Sequence, residues 1–373
     1  MTAPRRRDGA PLVVHVIPSP RGRGAQRAAR ILVDSLDRPG LEEHRLLGLF
    51  AGPPEVAIDI PLGSRTGRHG ATGFRPTVAL GLRRTLRRLG PAAVVAHGGD
   101  AMKYVVPAVA ATGVPVAYCV IGTYAGSPAP LHVWRWKQIS ARADLVVAVG
   151  DEVLEECTDR FAVPPSRAVM IPNGRDPSLY YPRTEPSQGD LTLVFVGALT
   201  AQKQPDRFVE VVRSLRDSGR AVRGLIVGDG PLADALVGPA GTAGVDLLGA
   251  RPDVPDLLRQ GDLFVFTSKP AGEGMPGVLI EAGLSGLPAV STRVPGAATV
   301  IRDGTSGLVV DDSVPELVGA IEEIVDHPQR RAAMGTAARA WCEKAFSLDL
   351  MAQRWHAALN PLLAGQPDAT RGG

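Results

Sequence analysis

The chain has 373 residues, of which 45% are hydrophobic and 21% charged, a composition typical of a globular protein. A single hydrophobic core stops growing before this length, so we expect two domains. The 41 Lys and Arg residues are nearly balanced by 38 Asp and Glu residues, which leaves a formal net charge of +3. This balance excludes a nucleic-acid-binding surface that extends over the whole molecule.

Basic residues are nevertheless clustered at two places. Residues 5–7 are all Arg, and four further Arg residues lie between positions 83 and 88. One interpretation is a solvated terminus and a solvated helix face. The other is a patch for an anionic membrane surface or an anionic acceptor.

The three cysteines, Cys119, Cys157 and Cys342, lie far apart and form no Cys-x-x-Cys pair. This spacing excludes a disulfide framework and a cysteine-based zinc site, and it favours a reducing compartment. No apolar run is long enough to cross a bilayer, and the apolar stretch at 11–17 indicates a first strand, not a signal peptide. We expect a cytoplasmic protein, with peripheral contact at the inner membrane face left open.

Short runs of β-branched and aliphatic residues alternate with longer amphipathic segments in the first half of the chain. These runs predict buried parallel strands at 12–17, 93–96, 114–120 and 145–149. Helical patterns lie at 25–36, 100–111 and 151–161. The alternation pauses after Ile171, where prolines stand at positions 172, 177, 182 and 186. We therefore predict a linker at 177–190.

The same alternation restarts after the linker. Strands are predicted at 191–196, 222–227, 263–267 and 289–291, and helices at 205–218 and 276–285. The segments at 314–326, 329–346 and 348–363 are also helical in pattern. Strand, crossover and strand again imply right-handed parallel units in each half. The fold class is therefore α/β, with two Rossmann-like, doubly wound domains facing a central cleft.

One glycine-rich junction between a strand and a helix carries the chemistry. It runs from Ser268 to Gly283 and follows the apolar run at 263–267. Pro276 suits the first turn of a helix, where its missing N–H group costs nothing. The next three residues are Gly277, Val278 and Leu279. Their free N–H groups then point out of the start of the helix, where the positive end of the helix dipole lies. Such a helix start is suited to bind a diphosphate.

Two carboxylates flank this helix start. Glu273 lies in the loop before it, and Glu281 lies inside the helix, eight residues later. Carboxylate oxygens accept hydrogen bonds from the hydroxyl groups of sugars. A surface acid and a paired helix acid would be the ordinary interpretation of either residue alone. Their combination with the glycine-rich junction favours a binding site.

The Glu273-x7-Glu281 pair resembles the Glu-x7-Glu motif of glycosyltransferase family 4, a group of retaining enzymes with the GT-B fold. Further segments resemble the family in the expected order, at 171–174, 196–203, 225–231, 248–254 and 303–310. The match is dense from 191 to 310 and thinner in the first half. The resemblance implies an acceptor-side domain at 1–176, the linker, a nucleotide-sugar domain at 191–346 and a helix at 347–363 packing back on the first domain. The polar, Gly-rich composition of residues 364–373 predicts a disordered tail.

The resemblance also implies a role for each matching residue. Glu273 would bind hydroxyls of the donor hexose, with Gly274 beside it, and Glu281 would bind the ribose hydroxyls. Lys203 would neutralise the diphosphate as the glycosidic bond breaks. Arg251 would lie near the base.

Two glycines in the first half resemble the family's glycine loop. Gly22 and Gly24 would approach the diphosphate closely, because glycine has no side chain. As a dinucleotide-binding fingerprint the segment fails, since the third glycine is missing.

The sequence departs from the family pattern at two places. Ala198 stands where the family has an Arg that binds the diphosphate, and we expect Arg21, Arg23 or Lys269 to be able to supply that charge. Ile121 or Gly122 stands where many members have a His near the reacting carbon.

His97 ends the preceding strand and is our candidate for a catalytic histidine in the first half. A structural histidine is an equally good interpretation.

The expected reaction is retaining transfer of a hexose-type sugar from a nucleotide diphosphate donor to a hydroxyl acceptor, a small molecule or a glycan. UDP is favoured as the nucleotide and GDP is next. The leaving phosphate oxygen would help to take the acceptor proton. We expect no metal and no cofactor, because no Asp-x-Asp element follows a strand. A nucleotide-sugar epimerase of GT-B architecture and a degenerate nucleotide-sugar-binding partner protein remain as alternatives.

The exposed or packed state of Trp134 and Trp136 in the apolar segment 127–139 is left open.

Overall fold

The computed structural model describes residues 10–22, 24–38, 40–64, 73–123, 130–185, 189–270 and 273–364. The Arg cluster at 5–7, Arg23 and the tail beyond 364 lie outside these described residues. The chain divides into two compact units. The first unit takes its described residues from 1–122, 127–173 and 349–373, and the second from 123–126 and 174–348.

The first unit contains a seven-stranded parallel sheet. Its strands are β1 (Leu12–Ile17), β2 (Glu43–Phe50), β3 (Ile60–Ser64), β4 (Ala93–His97), β5 (Val116–Val120), β6 (Leu145–Ala148) and β7 (Ala168–Met170). Its helices are α1 (Gly24–Leu36), α2 (Pro76–Leu89), α3 (Gly99–Val109), α4 (Pro130–Ser140) and α5 (Asp151–Glu155), and α13 (Leu348–Ala364) joins them from Asp349 onward. The strand order is β3-β2-β1-β4-β5-β6-β7. Strand β1 therefore lies between β2 and β4, and all six of its residues are buried.

The second unit contains a six-stranded parallel sheet. Its strands are β8 (Leu191–Val196), β9 (Val222–Val227), β10 (Val245–Leu247), β11 (Leu263–Phe266), β12 (Ala289–Thr292) and β13 (Gly307–Val310). Its helices are α6 (Pro205–Asp217), α7 (Ala233–Ala243), α8 (Val254–Arg259), α9 (Gly277–Leu284), α10 (Ala297–Val300), α11 (Val314–Val325) and α12 (Pro328–Phe346). The strand order is β10-β9-β8-β11-β12-β13. The order reverses direction between β8 and β11, which makes this pair the topological switch point of the sheet.

The apolar core of the second unit explains why this sheet forms. Leu193 and Phe195 of β8 point into the same core as Phe208 and Val212 of α6, and all four are buried. The apolar positions of α6 recur at helical spacing, so one face of the helix covers the sheet. Burial of each such side chain contributes about 1.5–3 kcal/mol to folding.

The predicted fold class is confirmed, since both halves are parallel α/β units. Strands β1, β8 and β9 have the predicted bounds. The strand predicted from 114 begins at Val116. The helix predicted at 151–161 is α-helical only to Glu155 and continues as one turn of π-helix to Arg160. Within the described residues, no helix is long and apolar enough to span a membrane.

Candidate functional site

The strongest candidate site lies at the switch point of the second unit. The loop after β8 carries Lys203, and the loop after β11 carries Glu273. Because β8 and β11 are parallel neighbours, their carboxyl ends meet at one edge of the sheet. Ligands of open α/β sheets bind at this edge, at the point where the strand order reverses.

Lys203 and Glu273 form an ion pair at this edge. The Nζ atom of Lys203 lies 2.6 Å from Oε1 of Glu273 and 4.9 Å from the centre of the Phe266 ring. The carbonyl of Lys203 accepts a hydrogen bond from the hydroxyl of Thr267 at 2.9 Å, which fixes the backbone of its loop. The Glu273 side chain is largely buried, whereas Lys203 keeps a quarter of its surface exposed. The predicted sugar-binding and diphosphate-binding residues are thus in direct contact.

The loop that carries Glu273 packs tightly against a second glycine-containing turn. Gly296 has a φ of 74°, and a Cβ atom at this position would lie 2.2 Å from the carbonyl oxygen of Gly274. Only glycine tolerates both the left-handed backbone and this approach. Gly274 is buried, so it shapes the loop behind Glu273.

Glu281 is paired with an arginine that the sequence analysis missed. The Nε atom of Arg175 donates to Oε1 of Glu281 at 2.6 Å, and both side chains are mostly buried, with exposures of 11% and 15%. Arg175 also donates from Nη1 to the carbonyl of Gly174 at 2.9 Å. The family-like segment at 171–174 ends one residue before Arg175, so no role was predicted for this arginine.

Gly277 provides the room for this arginine. A Cβ atom on Gly277 would lie 2.1 Å from Nη2 of Arg175, so any larger residue would displace the guanidinium. The guanidinium therefore lies directly on the first residue of helix α9.

The start of helix α9 offers two backbone donors. Pro276 is the N-cap residue, so it lies one position before the first turn in which it was predicted. The N–H group of Leu279 donates to the Pro276 carbonyl at 3.0 Å. Among the described residues, the N–H groups of Gly277 and Val278 have no backbone partner, so these two are available to an anion at the positive end of the helix dipole.

The remaining predicted residues of the second unit lie outside the two ion pairs described above. Arg251 forms two hydrogen bonds to Asp253, at 2.8 and 2.6 Å, and this carboxylate raises the pKa of the Arg251 guanidinium. Ala198 and Lys269 are both exposed. The carbonyl of Lys269 accepts from Nε2 of Gln202 at 2.9 Å, which ties its loop to that of Lys203.

His97 belongs to a buried chain of histidines in the first unit. Its Nε2 atom lies 3.0 Å from Nδ1 of His15, and Nε2 of His15 lies 2.9 Å from Nδ1 of His44. Burial lowers the pKa of His97 to about 4, so its ring is a weak base at neutral pH. Only 4% of His97 is exposed. This environment is that of a packed histidine, although His97 ends β4 as predicted.

The predicted glycine loop of the first unit already holds an anion of the protein itself. The N–H group of Gly22 donates to Oε2 of Glu55 at 2.7 Å. Gly24 begins α1, and a Cβ atom there would meet no other atom within 4 Å.

On α4, Trp136 stacks on Tyr118 at 6.4 Å between ring centres, whereas Trp134 is exposed.

Comparison with known proteins agrees with this arrangement. A family model described as Glycosyltransferase Family 4 matches residues 22–179, and a model described as Glycosyl transferases group 1 matches residues 190–327. Together they match most of the chain. The chain belongs to glycosyltransferase family 4.

Two curated relatives show how far the similarity extends. The D-inositol 3-phosphate glycosyltransferase of Gordonia bronchialis is 30% identical over 272 residues, which are 65% of this chain and 58% of that protein. An Escherichia coli enzyme is 28% identical over 216 residues, which are 52% of this chain and 55% of that protein. It is named UDP-Gal:alpha-D-GlcNAc-diphosphoundecaprenol alpha-1,3-galactosyltransferase. The matched part of the chain thus spans a little over half the length of these relatives.

A solved structure shows the fold of this family 4 chain. The crystal structure of Anabaena HepE in complex with UDP and glucose matches with a TM-score of 0.78 and 18% identity, over 94% of this chain and 99% of that chain. The two parallel-sheet units therefore form a GT-B glycosyltransferase fold.

Proposed function

We propose that this protein is a retaining glycosyltransferase that moves a hexose-type sugar from a nucleotide diphosphate donor to a hydroxyl acceptor. The observation that carries the proposal is the pairing of both motif carboxylates with cations beside one helix start. Lys203 contacts Glu273, and Arg175 contacts Glu281, at the switch point of a parallel sheet. UDP is the favoured nucleotide, which agrees with the E. coli relative's name and with UDP in the HepE structure.

Each member of the site has one role in this proposal. The two free amides at the start of α9 and the Nζ atom of Lys203 stabilise the diphosphate, whose negative charge grows as the glycosidic bond breaks. Glu273 accepts hydrogen bonds from hydroxyls of the sugar and orients its anomeric carbon. Glu281 accepts from the ribose hydroxyls. The base of the nucleotide binds next to Arg251, at the carbonyl and amide groups around it.

We also propose that Arg175 supplies the diphosphate cation that Ala198 cannot. Its guanidinium lies on the residue that starts α9, with Nη2 nearest to the space a Gly277 side chain would fill. Nε remains on Glu281 while Nη2 binds a phosphate oxygen, because an arginine can donate to two acceptors at once. This role needs no movement of the backbone.

The acceptor is a hydroxyl-bearing small molecule or glycan, which we propose the first unit holds. The leaving phosphate oxygen takes the acceptor proton, because the low pKa of His97 makes that ring a poor base. The reaction needs neither a metal nor a cofactor in this proposal, since Lys203, Arg175 and the helix dipole supply the positive charge.

The test is a transfer assay with purified protein and UDP-, GDP- and ADP-sugars against a panel of hydroxyl acceptors. Release of the nucleoside diphosphate together with a product whose anomeric configuration equals that of the donor, read by the NMR coupling constant, supports the proposal. An inverted product contradicts retention. A changed sugar configuration without transfer would favour the epimerase, and binding without any release would favour the degenerate partner protein. A Lys203→Met variant is the matched inactive control.

A further inference from the structure

A second cluster of polar side chains lies in the first unit and shares His44 with the histidine chain described above. Glu42 precedes strand β2, His44 is its second residue, and His356 lies on the C-terminal helix α13. One ligand-type atom from each of the three lies within 4.8 Å of the other two. Nδ1 of His356 lies 3.1 Å from Oε2 of Glu42.

Two of these side chains are buried, since Glu42 is 8% exposed and His44 is 1% exposed. Apart from the ion pair between Glu42 and His356, Oε2 of Glu42, Nε2 of His44 and Nε2 of His356 make no hydrogen bond among the described residues. Buried polar atoms without a hydrogen bond lose their contacts with water and gain nothing in return. Such atoms on three neighbouring side chains indicate a ligand that satisfies them.

The contacts of His44 with the other histidines orient its imidazole ring. Nδ1 of His44 contacts His15, and His15 contacts His97. If each ring donates along the chain toward His97, Nε2 of His44 carries a free lone pair that points away from His15. Metal-binding histidines use their second ring nitrogen in this way, in a hydrogen bond that fixes the tautomer.

Two imidazoles and one carboxylate form a donor set that suits a late first-row divalent metal, and zinc in particular. In a tetrahedral zinc site with bonds of about 2.0–2.1 Å, neighbouring ligand atoms are about 3.3 Å apart. The contact between Glu42 and His356, at 3.1 Å, already has about this length, and the other separations, at most 4.8 Å, need to shorten by at most about 1.5 Å.

We propose that Glu42, His44 and His356 form a binding site for one Zn²⁺ ion, which fastens helix α13 to strand β2 within the first unit. The site lies at the amino end of β2, whereas ligands of such sheets bind beyond the carboxyl ends of the strands. The ion is therefore structural and takes no part in sugar transfer. An exposed ion pair between Arg38 and Asp349, at 2.8 Å, is a further polar contact near the start of α13.

The test uses the full chain, stripped of metal with a chelator and then titrated with ZnCl₂. We expect one Zn²⁺ per chain by mass spectrometry of the metal content, and a higher melting temperature after zinc is added. Co²⁺ in place of Zn²⁺ should give the visible absorption of a four-coordinate ion. No stoichiometric binding, or binding without any thermal shift, would overturn the proposal.

Variants locate the site. His356→Gln, on a partly exposed face of α13, should fold normally, lose stoichiometric zinc binding and lose the zinc-dependent thermal shift. Glu42→Gln should weaken zinc binding in the same direction. His327→Gln removes an exposed histidine elsewhere and should bind zinc like the original chain. Zinc binding that survives in His356→Gln and Glu42→Gln would refute the assignment. UDP binding should be the same in all these variants, which separates this proposal from the proposed transferase activity.

Discussion

Adding one methyl group at Gly277 tests how the donor site is built. In Gly277→Ala, the new Cβ atom would lie 2.1 Å from Nη2 of Arg175, whereas real Cβ contacts stay above 3.0 Å. The guanidinium must therefore move by at least 0.9 Å, the difference between 3.0 and 2.1 Å. A shift of that size away from Glu281 would lengthen the 2.6 Å contact of Nε to about 3.5 Å, outside the hydrogen-bond range.

The expected loss follows from the energy of a charged hydrogen bond. Such a bond contributes about 1.5–3 kcal/mol, which corresponds to a loss of about 10- to 100-fold in UDP affinity. Uridine, which has no phosphate, should bind Gly277→Ala and the original chain about equally well. Isothermal titration with both ligands measures the difference directly.

A double-mutant cycle provides the control. In an Arg175→Met background there is no guanidinium to displace, so Gly277→Ala should have little further effect on UDP affinity. It should also slightly raise the melting temperature there, because alanine is the better helix former. An equal loss of UDP affinity in both backgrounds would refute the role given to Arg175. Recovery of UDP affinity in Arg175→Met by a second change, Ala198→Arg, is expected if the two positions serve the same phosphate.

Three further predictions follow from the same contacts. Glu281→Ala should weaken UDP binding by about 10- to 100-fold by titration, whereas Glu273→Gln should mainly lower kcat in the transfer assay, because the proposal assigns the sugar to Glu273 and the ribose to Glu281. Equal effects on binding and turnover in both variants would contradict these roles. His97→Asn should lower kcat by less than tenfold because the ring is buried and weakly basic, and a loss above about 100-fold would restore it as a catalytic base. Burial raises the pKa of all three cysteine thiols to about 12, so the folded protein should not react with a thiol reagent at pH 8. The unfolded protein should react with three equivalents of the reagent. Rapid labelling of the folded protein would contradict the buried positions of Cys119, Cys157 and Cys342.

The fold could be predicted well where the chain is apolar and regularly spaced. Strand β8 has the sequence LTLVFV, in which every residue except Thr192 is apolar, and its bounds were predicted correctly. Strand β2 was missed because it begins with Glu43, His44 and Arg45, which are charged or polar residues that no strand pattern favours. These residues are placed in a strand by the sheet around them, since β2 pairs with β1 over six residues.

The site could be predicted only as far as its local motif. The spacing of Glu273 and Glu281 indicated two carboxylates at a helix start, and the structure places both there, each with a cation. Arg175 is 106 residues from Glu281, so nothing local in the sequence joins them. The same holds for the cluster around His356, which brings together residues from opposite ends of the chain. Such contacts depend on tertiary packing and have no periodic signal.

The most direct test of the central claim is isothermal titration of the purified protein with UDP, GDP and ADP, without added metal. The account predicts saturable, one-to-one binding of one nucleotide in clear preference to the others, with the affinity lowered in Arg175→Met and Lys203→Met. Absence of binding to all three nucleotides would contradict it, because the site would then lack the charge needed to hold a diphosphate.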